Sequence, residues 1–193
     1  IILGIDPGTM VMGYSLILQK DKHLSLLRMG VLKLKQYDNQ ALKLKKIFER
    51  VLEIIDEYHP DELAIEAPFF GKNVQSMLKL GRAQGVAMAA ALYRDIPIFE
   101  YSPRKIKQSI TGNGAASKEQ VAFMLQQIIQ FENLPEFLDA TDATAAAVCH
   151  YFQRDINIIC DNDTVSKTVK IPKGKKSFNS WSSFINDNPD RMI

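Results

Sequence analysis

Ile1-Ile2-Leu3-Gly4-Ile5-Asp6-Pro7-Gly8-Thr9 sets an uncharged, aliphatic run directly against an acid and a turn. The run reads as a buried strand, and Asp-Pro-Gly behind it is turn chemistry, so Asp6 stands where a core strand meets solvent. Two more aliphatic runs, Gly13 to Gln19 and Leu24 to Leu32, follow across the Lys20-Asp21-Lys22 turn signal. Three strands with short connections are most economically an antiparallel meander.

Beyond them the period changes. Leu44, Ile47, Val51, Ile54, Ile55 and Tyr58 recur at three- and four-residue steps, predicting a helix over about Ala41 to Tyr58 with Asp38 or Asn39 as cap and His59-Pro60 as stop. Leu63-Ala64-Ile65 is then a short strand ending in Glu66. A strand reached through a helical crossover is expected to run parallel to an earlier one. Asn73 can cap a helix to about Tyr93. Gly81 and Gly85 inside it each cost roughly 1 kcal/mol relative to alanine, so the sheet or a second subunit is expected to pack close there.

Pro97 to Tyr101 reads as a fifth strand and Ser102-Pro103 as the start of a short helix. Thr111-Gly112-Asn113-Gly114 is a loop. Ser117-Lys118-Glu119-Gln120 matches a capping box that opens a helix through Val121, Leu125 and Ile129. A last helix is expected from about Leu138 to Phe152. The sum is an α/β architecture, a five-stranded mixed sheet flanked by helices. Residues 1–154 form the expected domain. Residues 155–193, with Lys167, Lys170, Lys173, Lys175 and Lys176 around Pro172 and Gly174, form an expected basic tail.

Composition bounds the function. A chain of 193 residues with 46% hydrophobic and 24% charged residues supports one buried core. Cys149 and Cys160 are too few for a disulfide scaffold or a zinc site, which favours a reducing, cytoplasmic setting. No apolar run reaches the roughly 18 residues of a membrane span. The net charge of +2 is small, but its distribution is uneven. Ala67 through Arg94 holds no acid and carries Lys72, Lys79, Arg82 and Arg94; Tyr101 to Lys118 holds none and carries Arg104, Lys105, Lys107 and Lys118. Both windows adjoin element ends that carry acids, where a polyanion could be held.

Asp139 and Asp142 stand three apart at the start of the last helix and project from one face, and the alanines after them allow close packing on the sheet. Taken alone they serve equally well as helix-capping acids. Glu66 is harder to explain that way. A carboxylate at the end of so apolar a strand is costly to bury, and bringing it beside Asp6 raises the pKa of one of them unless a cation intervenes. Hard oxygen donors without a histidine or cysteine cluster favour Mg²⁺, with Mn²⁺ as a substitute.

Ile2 to Thr9, Ala64-Ile65-Glu66, Phe69 with Lys72-Asn73, Leu78 to Gly85, Lys107-Gln108 with Gly112-Asn113-Gly114, and Asp139-Ala140-Thr141-Asp142-Ala143 closely resemble the RuvC family of bacterial Holliday-junction resolvases. The resemblance spans about residues 1 to 154. It implies a ribonuclease-H-like fold and a homodimer that nicks two opposed strands of a four-way DNA junction, leaving 5′ phosphate and 3′ hydroxyl ends. By the same resemblance Asp6, Glu66, Asp139 and Asp142 form a catalytic tetrad that binds two Mg²⁺ ions, and Lys107 and Lys118 lie near the scissile phosphate. Phe69 matches an aromatic that engages unpaired bases. Lys72, Asn73, Lys79, Arg82 and Arg104 complete the expected DNA-contacting set, and branch-migration motor proteins of the RuvA and RuvB type are expected partners.

Two other readings compete. Gly4 to Thr9 also looks like the first phosphate loop of the actin and sugar-kinase ATPases, but those need a second lobe and a second Asp-Gly motif that this chain lacks. A non-cleaving module that only binds junction DNA would share the basic windows. Four retained acids argue against it, because carboxylates repel phosphate unless metal is present.

Overall fold

The structure, a computed structural model, describes residues 1–21, 23–68, 73–129 and 138–162, with side chains through Arg154. In chain order the elements are β1 (Ile2–Asp6), β2 (Val11–Lys20), β3 (His23–Lys33), α1 (Gln40–Tyr58), β4 (Glu62–Glu66), α2 (Val74–Leu92), β5 (Ile98–Tyr101), α3 (Pro103–Thr111), α4 (Lys118–Ile129) and α5 (Leu138–Asn162). Residues Ile1–Ile159 form one compact unit.

The sheet order is β3-β2-β1-β4-β5. β1, β2 and β3 pair antiparallel, as short turns dictate, while β4 lies parallel to β1 and β5 parallel to β4. The expected meander and parallel crossover are thus both present. Caps are where the local chemistry puts them. Asn39 accepts from the Ala41 amide and Ser102 from that of Lys105, while Ser117 and Gln120 make the reciprocal bonds of a capping box. His59 ends α1 in the left-handed region at φ 47°.

One expectation needs correcting. α5 does not stop near Phe152 but continues to Asn162. No glycine or proline interrupts residues 138–162, so nothing breaks the helix. The lysine-rich remainder of the tail lies outside the described residues, as do Phe69 and Lys72.

The core has two layers of helices, one on each sheet face. Leu3, Ile5, Leu63 and Ile65 are buried with Val51 and Ile54 of α1 and with Ala83, Ala87, Ala90 and Ala91 of α2. Ile2, Ile17 and Ala64 are buried with Ile106 and Ile110 of α3, Val121 and Leu125 of α4, and Ala145 to Cys149 of α5. Strand side chains alternate between faces, so Asp6 and Glu66 fall in step with Ile2 and Ala64 and face α3, α4 and α5.

Two glycines let α5 lie on the sheet. A Cβ on Gly4 would overlap the carbonyl oxygen of Ala143, and one on Gly13 would overlap that of Asp139. Gly13 pairs with Asp6 in the β1–β2 register, so this close approach brings the first turn of α5 to the acid. Further along, α5 is pinned by His150, 2% exposed and stacked on Phe99 at 4.2 Å. His150 Nδ1 meets Tyr101 Oη at 2.7 Å and Nε2 meets Glu62 Oε2 at 3.0 Å, while Arg154 donates to the same Glu62 oxygen at 2.8 Å. Burial holds the His150 pKa below its usual value, against the opposing pull of Glu62. The expected close packing at Gly81 and Gly85 is not supplied by the sheet, since no atom of another element among the described residues lies within 4 Å of a Cβ built at either.

Gly4→Ala and Gly13→Ala are each expected to lower stability by roughly 2–3 kcal/mol, because the added methyl forces α5 off the sheet. Thermal and urea unfolding against the parent protein measure this.

Candidate active site

The acid cluster is assembled by three elements. β1 delivers Asp6 and β4 delivers Glu66 at adjacent sheet positions, one step beyond the Ile5–Ile65 pair. The first turn of α5 delivers Asp139 and Asp142. Asp6, Glu66 and Asp142 line one cleft of about 400 Å³ together with Lys107 of α3 and Lys118 of α4. Pro103, Ile106, Val121 and Ala145 supply its apolar lining. A smaller recess of about 90 Å³ shares Asp6 and Glu66 and is walled by Pro7, Ala67, Pro68 and Leu80. Asp139 lines neither cavity, though its charge reaches Asp6.

The electrostatics are those of crowded, half-buried carboxylates. Burial, then repulsion from Glu66, Asp142 and Asp139, pushes the Asp6 pKa up to about 8, with Lys118 opposing. Burial, then Asp142, pushes Glu66 up to about 7, against Lys118 and Lys107. Lys118 Nζ bonds Asp142 Oδ2 directly. Burial draws the Lys118 pKa down, but the bond to Asp142 and that residue's charge outweigh it and hold the ammonium above its usual range. One lysine therefore satisfies Asp142, while Asp6 and Glu66 have no comparable partner among the described residues.

Divalent cations fit the donor set in kind, since every donor is a hard oxygen and the repulsion between Asp6 and Glu66 is what a cation would remove. Among the described residues, no three acids, histidines or cysteines yet stand within reach of one ion.

The other residues singled out in the sequence are placed more loosely. Asn73 caps α2, its side chain accepting from the Ser76 amide at 3.0 Å. Lys79 and Arg82 are exposed on α2, and Arg104 is exposed on α3 beside Gly114. None of these four lines the acid cleft. Two features escaped the sequence reading. Ile106 and Val121 wall the cleft, which the burial periodicity of α3 and α4 could have signalled. Gln84, a polar residue only 6% exposed on the alanine-rich face of α2, hydrogen-bonds the Glu66 carbonyl. Its place beside Ala83 and Ala87 was the available clue.

A mixed sheet of order β3-β2-β1-β4-β5 with acids gathered at its rim is the arrangement of a ribonuclease-H-like nuclease. The comparisons narrow the class. The sequence model of the family described as crossover junction endodeoxyribonuclease RuvC matches residues 2–150. Relatives of that name from Cytophaga hutchinsonii and Bacteroides fragilis are 58% and 56% identical, each across 100% of this chain and 88% and 95% of their own. Thermus thermophilus RuvC superposes with a TM-score of 0.73 at 30% identity, covering 81% of this chain and 96% of that one. The same protein in complex with Holliday junction substrate gives 0.75, with 81% and 95% covered. The chain belongs to the RuvC family of crossover junction endodeoxyribonucleases, a nuclease fold that implies dependence on divalent metal.

In metal-free buffer, stability is expected to fall as pH rises from about 4 to about 8. Asp6 titrates near 3.8 when unfolded and about 8 when folded, so the native state holds a proton that the unfolded chain releases. Glu66 adds the same sign between 4.5 and about 7. Asp6→Asn should flatten the profile and raise the melting temperature at pH 8 by roughly 2–8 °C. Differential scanning calorimetry in chelator across this pH range checks both.

Proposed function

We propose that this chain resolves four-way DNA junctions by paired, symmetric nicks in recombination and repair, using two Mg²⁺ ions held by Asp6, Glu66, Asp139 and Asp142. The observation that carries the reading is the cleft in which three of these acids meet Lys107 and Lys118. The relatives' name and the Thermus complex with a Holliday junction support the choice of substrate. Bound divalent cations would supply an activated water and charge stabilisation at the leaving 3′ oxygen, giving 5′ phosphate and 3′ hydroxyl ends. Asp6 and Glu66 would hold the ions from the sheet, and Asp139 and Asp142 from α5. Lys118, once freed from Asp142, and Lys107 from the facing helix offer fixed ammonium donors to the scissile phosphate.

Phe69, Lys72, Asn73, Lys79, Arg82 and Arg104 are proposed as the surrounding DNA contacts, with Phe69 stacking on unpaired bases and the basic side chains meeting backbone phosphates. Paired nicks require two such sites. Val74, Leu78, Leu92 and Tyr93 on α2 are 64%, 50%, 60% and 67% exposed, and Gly81 and Gly85 present open backbone beside them. An apolar, small-residue face of this kind supports a homodimer through α2. We read residues 1–154 as the nuclease portion and 155–193 as an accessory basic segment, with RuvA- and RuvB-type motors as partners in a cytoplasmic setting.

Incubation of a labelled synthetic four-way junction with the protein and Mg²⁺ tests the reading: two opposed nicks are expected, and tight binding that leaves the DNA intact would favour a non-cleaving module. Glu66→Gln should still bind the junction while losing cleavage. Lys118→Ala is expected to lower kcat by roughly 10²-fold, the cost of one preorganised donor at a developing charge.

A further inference from the structure

We propose that Gln84 is a positioning residue for Glu66, an inference that rests on Glu66 being a catalytic acid. Gln84 lies among the buried alanines of α2. Its Nε2 donates to Glu100 Oε2 at 2.8 Å and to the main-chain carbonyl of Glu66 at 3.4 Å. The amide nitrogen carries two hydrogens, so one side chain makes both bonds and ties α2 to the ends of β4 and β5. The short bond to a carboxylate is the stronger and fixes the amide plane. The longer bond then holds the Glu66 peptide in register with it.

Support for that peptide is thin on its far side. On the β5 side Glu66 pairs with Tyr101 and the Ala67 amide of the same peptide donates to the Tyr101 carbonyl at 2.9 Å, but on the β1 side the ladder ends at Ile5–Ile65. Gln84 supplies that side with a tether from a helix packed on the opposite sheet face. Gln84 does not line the acid cleft, so it acts through Glu66 and not on DNA. Glu100 is the anchor that orients the amide.

The test separates positioning from simple satisfaction of Glu100. Gln84→Leu removes both donors at similar volume, and Gln84→Leu/Glu100→Leu removes the stranded carboxylate as well. Cleavage of a synthetic four-way junction, junction affinity in chelator and melting temperature are measured for each. Gln84→Leu is expected to lose ~10-fold or more in kcat, the scale of a small misplacement of a reacting group, with junction affinity within about twofold. The double variant should regain melting temperature and not kcat, because the Glu66 carbonyl still lacks the Gln84 donor. Full-rate cleavage by Gln84→Leu, or recovery of kcat in the double variant, overturns the inference. Should Gln84→Leu fail to fold, Gln84→Asn carries the same expectations, since its shorter amide cannot span both acceptors. Glu66→Gln run in parallel keeps the two levels apart. Normal cleavage by that variant removes the premise, whereas an inactive Glu66→Gln beside a fully active Gln84→Leu removes this inference alone.

Discussion

The carbonyl oxygens of Ala143 and Asp139 occupy the space that side chains at Gly4 and Gly13 would fill. Everything functional depends on that contact. α5 carries two of the four acids, and strand alternation carries the other two to the same sheet face, but a helix packed at ordinary distance would hold its carboxylates out of reach. The alanines at 143 and 145–147 and the two glycines remove the side-chain thickness on both surfaces. Glu62, His150 and Arg154 then lock the helix further along. Stability and function are thus coupled through backbone packing.

The cost of this approach is electrostatic. Burial and mutual repulsion raise Asp6 and Glu66 toward neutral pH, so in the absence of cations the rim of the sheet is a store of unfavourable charge. Lys118 relieves one acid of the set. A fold selected only for stability would replace Asp6 by a neutral residue. Under the function proposed above, its presence serves divalent cations, which convert the repulsion of a crowded, hard-oxygen cluster into affinity.

Much of this was legible in the chain itself. Aliphatic runs between turn signals, helix caps and a three- and four-residue period located the five strands and five helices of the described residues, and the Asp-Pro-Gly turn and the strand-end glutamate singled out Asp6 and Glu66. Asp139 and Asp142 alone were ambiguous, because the first turn of a helix attracts acids for capping just as well. The register that sets Gly13 against Asp6 brings the first turn of α5 beside that acid. α5 runs past the end expected near Phe152 because no glycine or proline breaks it there. Gln84 was invisible for a different reason. Its partners are a main-chain carbonyl 18 residues away and Glu100, and such pairing is a property of the packed fold.

Cation binding by the acid cluster is the central claim, and proton release measures it directly. Because Asp6 and Glu66 hold protons near neutral pH when no metal is present, binding of Mg²⁺ or Mn²⁺ must expel them. Isothermal titration calorimetry at pH 7 in buffers of different ionisation enthalpy should show protons released on metal binding, with the release reduced in Asp6→Asn. Saturable binding without proton release, or release unchanged by Asp6→Asn, would contradict the account.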